Sequence, residues 1–327
     1  MNPNYSKICA NLLGKLPQRQ KSILSQRFGL SSPTGESRRE TLEFIGKNYG
    51  ITRERVRQIE KDGFARMKKE NKKYLPVFQY FKNYLKNQGE LKREDALLAD
   101  LGSNKWQNQI FFLLNLGEDF ERVGENNDFY PLWAFNRSSV GRAKKAVDSA
   151  SIKLKKTGKP LQLKEIKIPD QINLKALSSY LEASKKIQKN SEGLFGLKEW
   201  PEINPKGIKD KAYLVFKKEK QPLHFVKVAD FIPSALSQTV HNELIKDHRF
   251  ILVGRGIYAL REWGYKEGTV KDIIVKILKE DKGPLGKEEI LKRVLKERFV
   301  KENTILLNLS NRKYFAKNSG GLYTLKR

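Results

Sequence analysis

The chain has 327 residues and a formal net charge of +28 at pH 7, from 65 Lys and Arg against 37 Asp and Glu. Its length suits several domains, and its basic surplus indicates a polyanionic partner, because each contact with a phosphate releases condensed counterions. The single cysteine excludes intramolecular disulfides and a thiolate metal cluster. The sequence contains no apolar run near the ~20 residues of a membrane span, no signal peptide and no lipidation motif, so we expect a cytoplasmic protein without a membrane partner.

The first strong pattern is an amphipathic helix predicted from Pro17 to Phe28. Its apolar side chains Ile23, Leu24 and Phe28 fall at helical spacing and are expected to point inward. The ten residues from Ser31 to Glu40 are rich in turn formers and predict a polar loop.

A helix-turn-helix is predicted directly after this loop. Thr41 can cap a helix over residues 42–49, and Gly50 can take the left-handed conformation that ends it. Thr52 then offers its hydroxyl as the N-cap of a second helix that starts at Arg53. Such a short turn between two helices is typical of a helix-turn-helix, whose second helix fits the DNA major groove.

The second helix separates into an apolar face and a polar face. The apolar face carries Val56, Ile59, Gly63 and Met67. The opposite face carries side chains that can read base edges, since arginine binds guanine, glutamine binds adenine and glutamate accepts from cytosine. The predicted base-reading residues are Arg53, Glu54, Arg57, Gln58 and Lys61. The alternative is a charged helix face that contacts only solvent.

These residues carry a resemblance to a known family. The segment GITRERVRQIE, residues 50–60, resembles the recognition segment of region 4 in sigma-70-type sigma factors, which reads the upstream promoter box. The resemblance extends upstream through LPQRQKSILSQRFGL, residues 16–30, and covers about residues 11–70. It implies base contacts from Arg53, Glu54 and Gln58, with Arg55 and Arg57 near the DNA backbone. The chain departs from the family at Asp62, where a basic residue near phosphate is usual.

The resemblance also implies a protein partner. The first half of region 4 grips the flap helix of RNA polymerase with apolar residues, and Ile23, Leu24 and Phe28 lie in the matching stretch. We therefore expect some of these three to dock on the flap region of the polymerase core. A complete sigma factor is not expected, because the DNA-melting part of that family lies upstream of region 4 and only about fifteen residues precede Leu16.

From residue 76 onward the sequence repeats itself. An aromatic-x-Leu triplet begins at Tyr130, Phe195, Tyr258 and Tyr323, at intervals of 63 to 65 residues, and a Pro-Leu pair recurs every 62 residues at 160, 222 and 284. Each unit has the pattern of three helices followed by two short strands, which is the order of a winged helix. The predicted fold is therefore mainly α. The predicted domains are a helix-turn-helix at 1–75 and winged-helix units at 76–136, 137–205, 206–266 and 267–327.

The unit at 206–266 resembles a named family through AYLVFKKEKQPLHFVKVADFI, residues 212–232, and TVHNELIKDHRFILVGRGIYALREW, residues 239–263. These segments look like the HARE-HTH domain, a winged helix found in a polymerase delta subunit, in chromatin proteins and beside restriction enzymes. This resemblance implies a transcription or nucleic-acid setting and no reaction. The turn at Gly254-Arg255-Gly256 would place Arg255 at the tip of a wing. The predicted DNA-backbone contacts are Thr52, Arg55, Arg38, Arg39 and Arg255.

Charge is uneven along the repeats. Residues 76–136 have a net charge of −3, from six basic and nine acidic side chains, whereas residues 137–192 have +9. We expect the lysines of the basic segment to strengthen DNA binding without regard to sequence. In the acidic unit, five consecutive apolar residues from Ile110 to Leu114 exceed what one inward helix face requires. They predict either burial against a neighbouring domain or docking of a protein partner.

No catalytic residue, metal ligand or cofactor site is predicted. The three histidines lack the spacing of a zinc site, and Gly254-Arg255-Gly256 lacks the remainder of a phosphate loop. Glu90-Leu91-Lys92 has the local look of a nuclease motif, but such triplets arise by chance in a highly charged chain.

The sequence therefore predicts a non-enzymatic, nucleoid-associated bacterial transcription protein that binds promoter-type duplex DNA and RNA polymerase. Two alternatives stay open. One is a delta-like polymerase accessory subunit with little sequence preference. The other is an accessory of a DNA modification or restriction system, or a divergent nuclease. The oligomeric state, the DNA sequence and the direction of regulation stay open.

Overall fold

A computed structural model describes residues 3–31, 37–103, 105–168, 172–281 and 283–326. The protein is mainly helical with small antiparallel sheets, as the sequence predicted. Part of the predicted polar loop, residues 32–36, lies outside the described residues. The chain forms two compact units, residues 1–199 and 200–327. Within the described ranges, no helix is both long enough and apolar enough to cross a membrane.

The first unit opens with four helices and continues with two helix-rich repeats. The opening helices are α1 (Tyr5–Leu13), α2 (Gln18–Phe28), α3 (Leu42–Tyr49) and α4 (Arg53–Glu70). The next elements are α5 (Leu75–Asn87), β1 (Leu91–Arg93), α6 (Glu94–Gly102), α7 (Gln107–Leu116), β2 (Glu121–Val123) and β3 (Leu132–Ala134), with sheet order β1-β3-β2. The unit ends with α8 (Arg137–Thr157), α9 (Leu174–Ala183), β4 (Ile187–Lys189) and β5 (Phe195–Leu197).

The second unit repeats the order of three helices followed by a hairpin. Its first part contains α10 (Ile208–Glu219), β6 (Leu223–His224), α11 (Phe225–Asp230), α12 (Ser237–Lys246), β7 (Phe250–Gly254) and β8 (Ile257–Leu260), with sheet order β6-β8-β7. Its second part contains α13 (Val270–Glu280), α14 (Lys287–Glu297), α15 (Glu302–Leu309), β9 (Phe315–Lys317) and β10 (Tyr323–Leu325).

The two repeated sequence features are cross-strand partners. The leucine of each Pro-Leu pair lies opposite the aromatic residue of the repeated triplet, in the pairs Leu161–Phe195, Leu223–Tyr258 and Leu285–Tyr323. The repeat at 76–136 departs from this rule, because Leu91 lies opposite Ala134 rather than Tyr130. The sequence periodicity therefore reflects one strand pairing that recurs in the three later repeats.

The helix-turn-helix forms as the local sequence predicts. Thr41 Oγ1 accepts a hydrogen bond from the Phe44 backbone N–H at 3.2 Å and caps α3. Gly50 ends this helix at φ 61°, a left-handed conformation that glycine adopts without strain. Gly46 lets α3 approach the turn closely, since a Cβ at this position would lie 2.7 Å from the Ile51 carbonyl oxygen.

The apolar run of α7 is buried in a core that it shares with the helix-turn-helix. Ile110, Phe112, Leu113 and Leu114 are all 0% exposed. The Phe112 ring lies 5.4 Å from the Phe28 ring and 5.7 Å from the Phe64 ring, between centroids. The interpretation of this run as buried against a neighbouring domain is confirmed, and a protein-docking role for it is wrong. Removing residues 76–136 would therefore expose the core of the helix-turn-helix.

The same packing corrects the predicted polymerase contacts. Ile23 and Leu24 are 0% exposed and Phe28 is 1% exposed, because α2 is packed against α1, α3, α4 and α7. Every side chain from Gln20 to Leu30 is at least partly buried. These three residues are core in this structure, so the assignment of them as docking residues does not hold. Their apolar spacing was correct, but the sequence could not show that another helix covers them.

Helix α9 packs against the preceding repeat in a similar way. The Ser179 hydroxyl donates to the Leu91 carbonyl oxygen at 2.5 Å, and the Tyr180 hydroxyl donates to the Gly89 carbonyl oxygen at 2.7 Å. Most side chains of α9 are buried. In the first unit, the last helix of each repeat therefore joins that repeat to the segment before it.

We predict that Phe112→Ala lowers the free energy of unfolding of the first unit by about 3–5 kcal/mol, because it leaves a cavity between Phe28 and Phe64. The matched control is Phe44→Ala, since the Phe44 side chain is 48% exposed on α3 and its removal should cost little. Urea unfolding followed by circular dichroism measures both variants. Equal, small losses of stability would show that α7 contributes little to this core.

Candidate nucleic-acid interface

The N-terminus of α4 is capped by the residue that the sequence predicted. Thr52 Oγ1 accepts a hydrogen bond from the Arg55 backbone N–H at 3.1 Å, and the Thr52 carbonyl oxygen accepts from the Val56 N–H at 3.1 Å. The start of α4 lines an open groove together with α3, with Arg53 and Arg55 on one wall and Lys47 on the other. A helix N-terminus beside basic side chains favours a phosphate group.

The inward face of α4 holds the helix against α2. Val56 and Met67 are 0% exposed, and a Cβ on Gly63 would lie 3.1 Å from a Leu24 methyl carbon, so glycine allows the two helices to approach closely. Gln20 Nε2 donates to the Ile59 carbonyl oxygen at 3.0 Å. The apolar face predicted from helical periodicity is therefore confirmed.

A partly buried ion pair also links the same two helices. Arg27 Nε lies 3.3 Å from Glu60 Oε2, and Arg27 Nη1 also donates to the Glu40 carbonyl oxygen at 2.9 Å. Burial raises the pKa of the Glu60 carboxyl, although the nearby Arg27 opposes this effect. Sequence reasoning missed this pair, because its members lie on different helices and the sequence does not give their distance.

All five predicted base-reading side chains lie on the exposed face of α4. They are Arg53, Glu54, Arg57, Gln58 and Lys61. Their contact with bases stays a prediction. It requires side chains that DNA can reach, and all five are exposed. The face carries donors and acceptors of the kinds that bind the edges of guanine, adenine and cytosine in the major groove.

Two pairs of side chains organise this face in the absence of DNA. Arg57 donates two hydrogen bonds to the Glu54 carboxylate, at 2.8 and 2.7 Å, and this contact lowers the pKa of Glu54. Arg55 Nη1 donates to Gln58 Oε1 at 3.1 Å. Exposed pairs of this kind contribute little stability, so base edges can replace them at small cost.

The predicted backbone-contacting arginines have different surroundings. Arg38 is exposed, whereas Arg39 is half-buried with its guanidinium carbon 4.1 Å from the centre of the Phe111 ring. Burial lowers the pKa of Arg39, and the ring contact gives this residue a structural role that the sequence did not predict. Arg255 is exposed between β7 and β8, in the second unit.

Helix α7 also binds the backbone close to Arg38 and Arg39. Asn108 Nδ2 donates to the Gly29 carbonyl oxygen at 3.1 Å and to the Ser37 carbonyl oxygen at 2.7 Å. These bonds join residues 79 and 71 positions apart in the chain, so local sequence patterns carry no signal for them.

The charged groups considered for catalysis are engaged in ion pairs. Glu90 binds Arg142, and Lys92 Nζ lies 3.1 Å from Asp100 Oδ2. Within the described ranges, no three His, Cys, Asp or Glu side chains are grouped so that they could hold a metal ion.

Comparison with known proteins places the helix-turn-helix in a family. Residues 12–69 match the family model described as Sigma-70, region 4. The same part of the chain is 44% identical over 59 residues to the RNA polymerase principal sigma factor HrdD of Streptomyces viridifaciens. It is 42% identical over 59 residues to HrdD of Streptomyces coelicolor, and 40% identical over 58 residues to the RNA polymerase sigma factor SigA of a Bacillus species.

These matches are confined to one part of the chain. Each covers 18% of this protein and 17%, 17% and 14% of the respective relative. The resemblance to sigma region 4 is therefore confirmed for the helix-turn-helix, which is a DNA-binding, transcription-related segment. The matches do not extend to the repeats that follow.

We predict that Thr52→Ala destabilises the first unit by about 1 kcal/mol, because the N-terminal N–H groups of α4 lose their side-chain acceptor. Thr52→Ser keeps a hydroxyl at the same position and is the matched control. Thermal unfolding of the two variants compares them directly. An unchanged melting temperature for Thr52→Ala would show that the cap is dispensable.

Proposed function

We propose that this protein is a bacterial transcription protein that reads promoter-type duplex DNA through the exposed face of α4. The observation that carries the proposal is the exposure of five polar side chains on the outer face of a capped helix, in a segment that matches sigma region 4; they are Arg53, Glu54, Arg57, Gln58 and Lys61. The helix is fixed from behind by Val56, Met67 and the Arg27–Glu60 pair, so it can enter a groove as a rigid element. On this proposal the protein acts on the nucleoid in the cytoplasm and is not an enzyme.

We infer specific roles for the residues on this face. Arg53 and Gln58 are the proposed readers of guanine and adenine, and Glu54, Arg57 and Lys61 complete the base-contacting set. Thr52 and Arg55 are proposed to contact phosphates at the start of α4, and Arg38 is proposed to do so from the neighbouring loop.

We further propose that the rest of the chain is a series of four winged helices, at 76–136, 137–205, 206–266 and 267–327. Three repeats have three α-helices before a hairpin, and in the repeat at 137–205 a 3-10 turn at Leu163–Glu165 stands in the place of the middle helix. This recurring order supports the division, as does the repeated pairing of leucine with an aromatic residue. Because α7 and α9 are largely buried, the first two winged helices are proposed to hold the first unit together. The unit at 206–266 is proposed to be of the HARE-HTH type, with Arg255 at its wing.

A second partner, RNA polymerase core, is proposed from the relatives, whose names are those of RNA polymerase sigma factors. The flap region remains the proposed contact, but through side chains other than Ile23, Leu24 and Phe28, which are buried. A delta-like accessory subunit is the alternative. It would bind polymerase with little preference among DNA sequences.

We predict that Arg53→Ala or Gln58→Ala weakens binding to the preferred duplex by about 1–3 kcal/mol and relaxes its specificity, because each change removes a bidentate base contact. Arg19→Ala is the charge-matched control for Arg53→Ala, since Arg19 is exposed on α2 and does not belong to the α4 face. Fluorescence anisotropy with preferred and random duplexes at fixed salt measures the effect. Equal weakening on both duplexes would contradict base reading and favour the accessory alternative.

We also predict that immobilised wild-type protein retains RNA polymerase core from a purified preparation in the absence of DNA, and that Arg53→Ala retains it equally. Base-reading side chains should not contribute to a protein contact made elsewhere on the domain. No retention by the wild-type protein would overturn the polymerase proposal and leave DNA reading unaffected.

A further inference from the structure

The basic side chains of α8 fall into two groups with different surroundings. In the first half of the helix, three of the four basic side chains pair with carboxylates of the acidic repeat. Arg137 Nε lies 2.5 Å from Glu121 Oε1, Lys144 Nζ lies 2.6 Å from Asp128 Oδ2, and Arg142 binds Glu90. Part of the negative charge of residues 76–136 therefore forms ion pairs with α8 inside the first unit.

Beyond Asp148 the pattern changes. Residues 149–168 contain six lysines and one acidic residue, Glu165. We call residues 153–167 the lysine segment. Its lysines are Lys153, Lys155, Lys156, Lys159, Lys164 and Lys167, and all six side chains are exposed. No ion pair found among the described residues involves any of them.

The lysine segment has a fixed backbone. Leu154, Leu161 and Ile166 are 0%, 5% and 2% exposed and anchor it to the unit. Leu161 exchanges two backbone hydrogen bonds with Phe195, at 2.9 and 2.8 Å. Glu165, its one carboxylate, accepts a hydrogen bond from the Gln162 backbone N–H at 2.7 Å and so caps the turn. The backbone that carries the six lysines is therefore anchored to the unit.

From this arrangement we propose that the lysine segment is a second DNA-contacting surface, which binds the phosphate backbone of duplex DNA without reading its sequence. Six like charges within fifteen residues repel one another, and a polyanion relieves this repulsion and gains from counterion release. An anionic membrane is the other common polyanion. Membrane-binding segments pair lysines with an apolar face. Here Ile152 is exposed, but Leu154, Leu161 and Ile166 point into the unit.

The choice of duplex DNA as the polyanion rests on the function proposed for α4, but the test does not depend on base reading. It uses random-sequence duplexes and the intact protein carrying Lys155→Gln, Lys156→Gln and Lys159→Gln. The matched control carries Lys276→Gln, Lys279→Gln and Lys296→Gln, which remove the same charge from exposed positions in the second unit. Thermal melts confirm that both variants are folded.

The affinity for random duplexes is measured across a salt series. The lysine-segment variant should reduce the magnitude of the negative slope of log K against log salt by about 0.9 for each lost phosphate contact, which is up to about 2.7 for three lysines. The control should leave the slope nearly unchanged. The ratio of affinities for preferred and random duplexes should stay constant in the lysine-segment variant. Arg53→Ala should lower that ratio. The ratio therefore tests base reading by α4, whereas the salt slope tests the lysine segment, and either proposal can fail without the other.

Two results would overturn the proposal. An equal fall in slope for both triple variants would show an effect of net charge rather than of this surface. An unchanged slope for the lysine-segment variant, together with abolished binding to phosphatidylserine vesicles, would assign the segment to a membrane surface.

Discussion

The first unit depends on the packing of α7 against the helix-turn-helix. Phe111 and Phe112 lie beside Phe28 at ring-centroid distances of 6.0 and 5.4 Å, and Phe28 in turn lies 5.4 Å from Phe64 of α4. Phe28 and Phe112 are buried, and Phe64 and Phe111 are partly buried. Packing of these four rings contributes several kcal/mol, so α4 is stabilised by residues of the next repeat. Asn108 strengthens the same contact by binding the carbonyl oxygens of Gly29 and Ser37. The helix-turn-helix and the acidic repeat therefore belong to one compact unit.

The helices of the first unit therefore differ in how much of their surface is buried. Helices α7 and α9 bury most of their surface in joining successive segments, whereas α4 keeps a polar face exposed. Glu121 and Asp128 of the acidic repeat pair with Arg137 and Lys144 in the first half of α8. The six lysines of the lysine segment are exposed to solvent. On our account, α4 supplies sequence preference and the lysine segment supplies affinity.

Local physical chemistry predicted much of the fold and of the candidate site. The hydroxyls of Thr41 and Thr52 satisfy helix N–H groups within three residues, and Gly50 ends a helix by its own conformation, so short windows of sequence determine these features. The faces of α4 follow from helical periodicity alone. What covers α2 could not be predicted in this way. Ile23, Leu24 and Phe28 have the spacing of an inward stripe, but only the tertiary contacts of α2 with α1, α3, α4 and α7 show that all three are buried.

The central claim is that the exposed face of α4 reads a DNA sequence. Selection of bound duplexes from a fully random library by the intact protein, followed by sequencing, tests this claim most directly. The account predicts one short enriched motif with the wild-type protein and its disappearance with Arg53→Ala, while the total amount of bound DNA stays substantial. Absence of any enriched motif, or the same motif with Arg53→Ala, would contradict it.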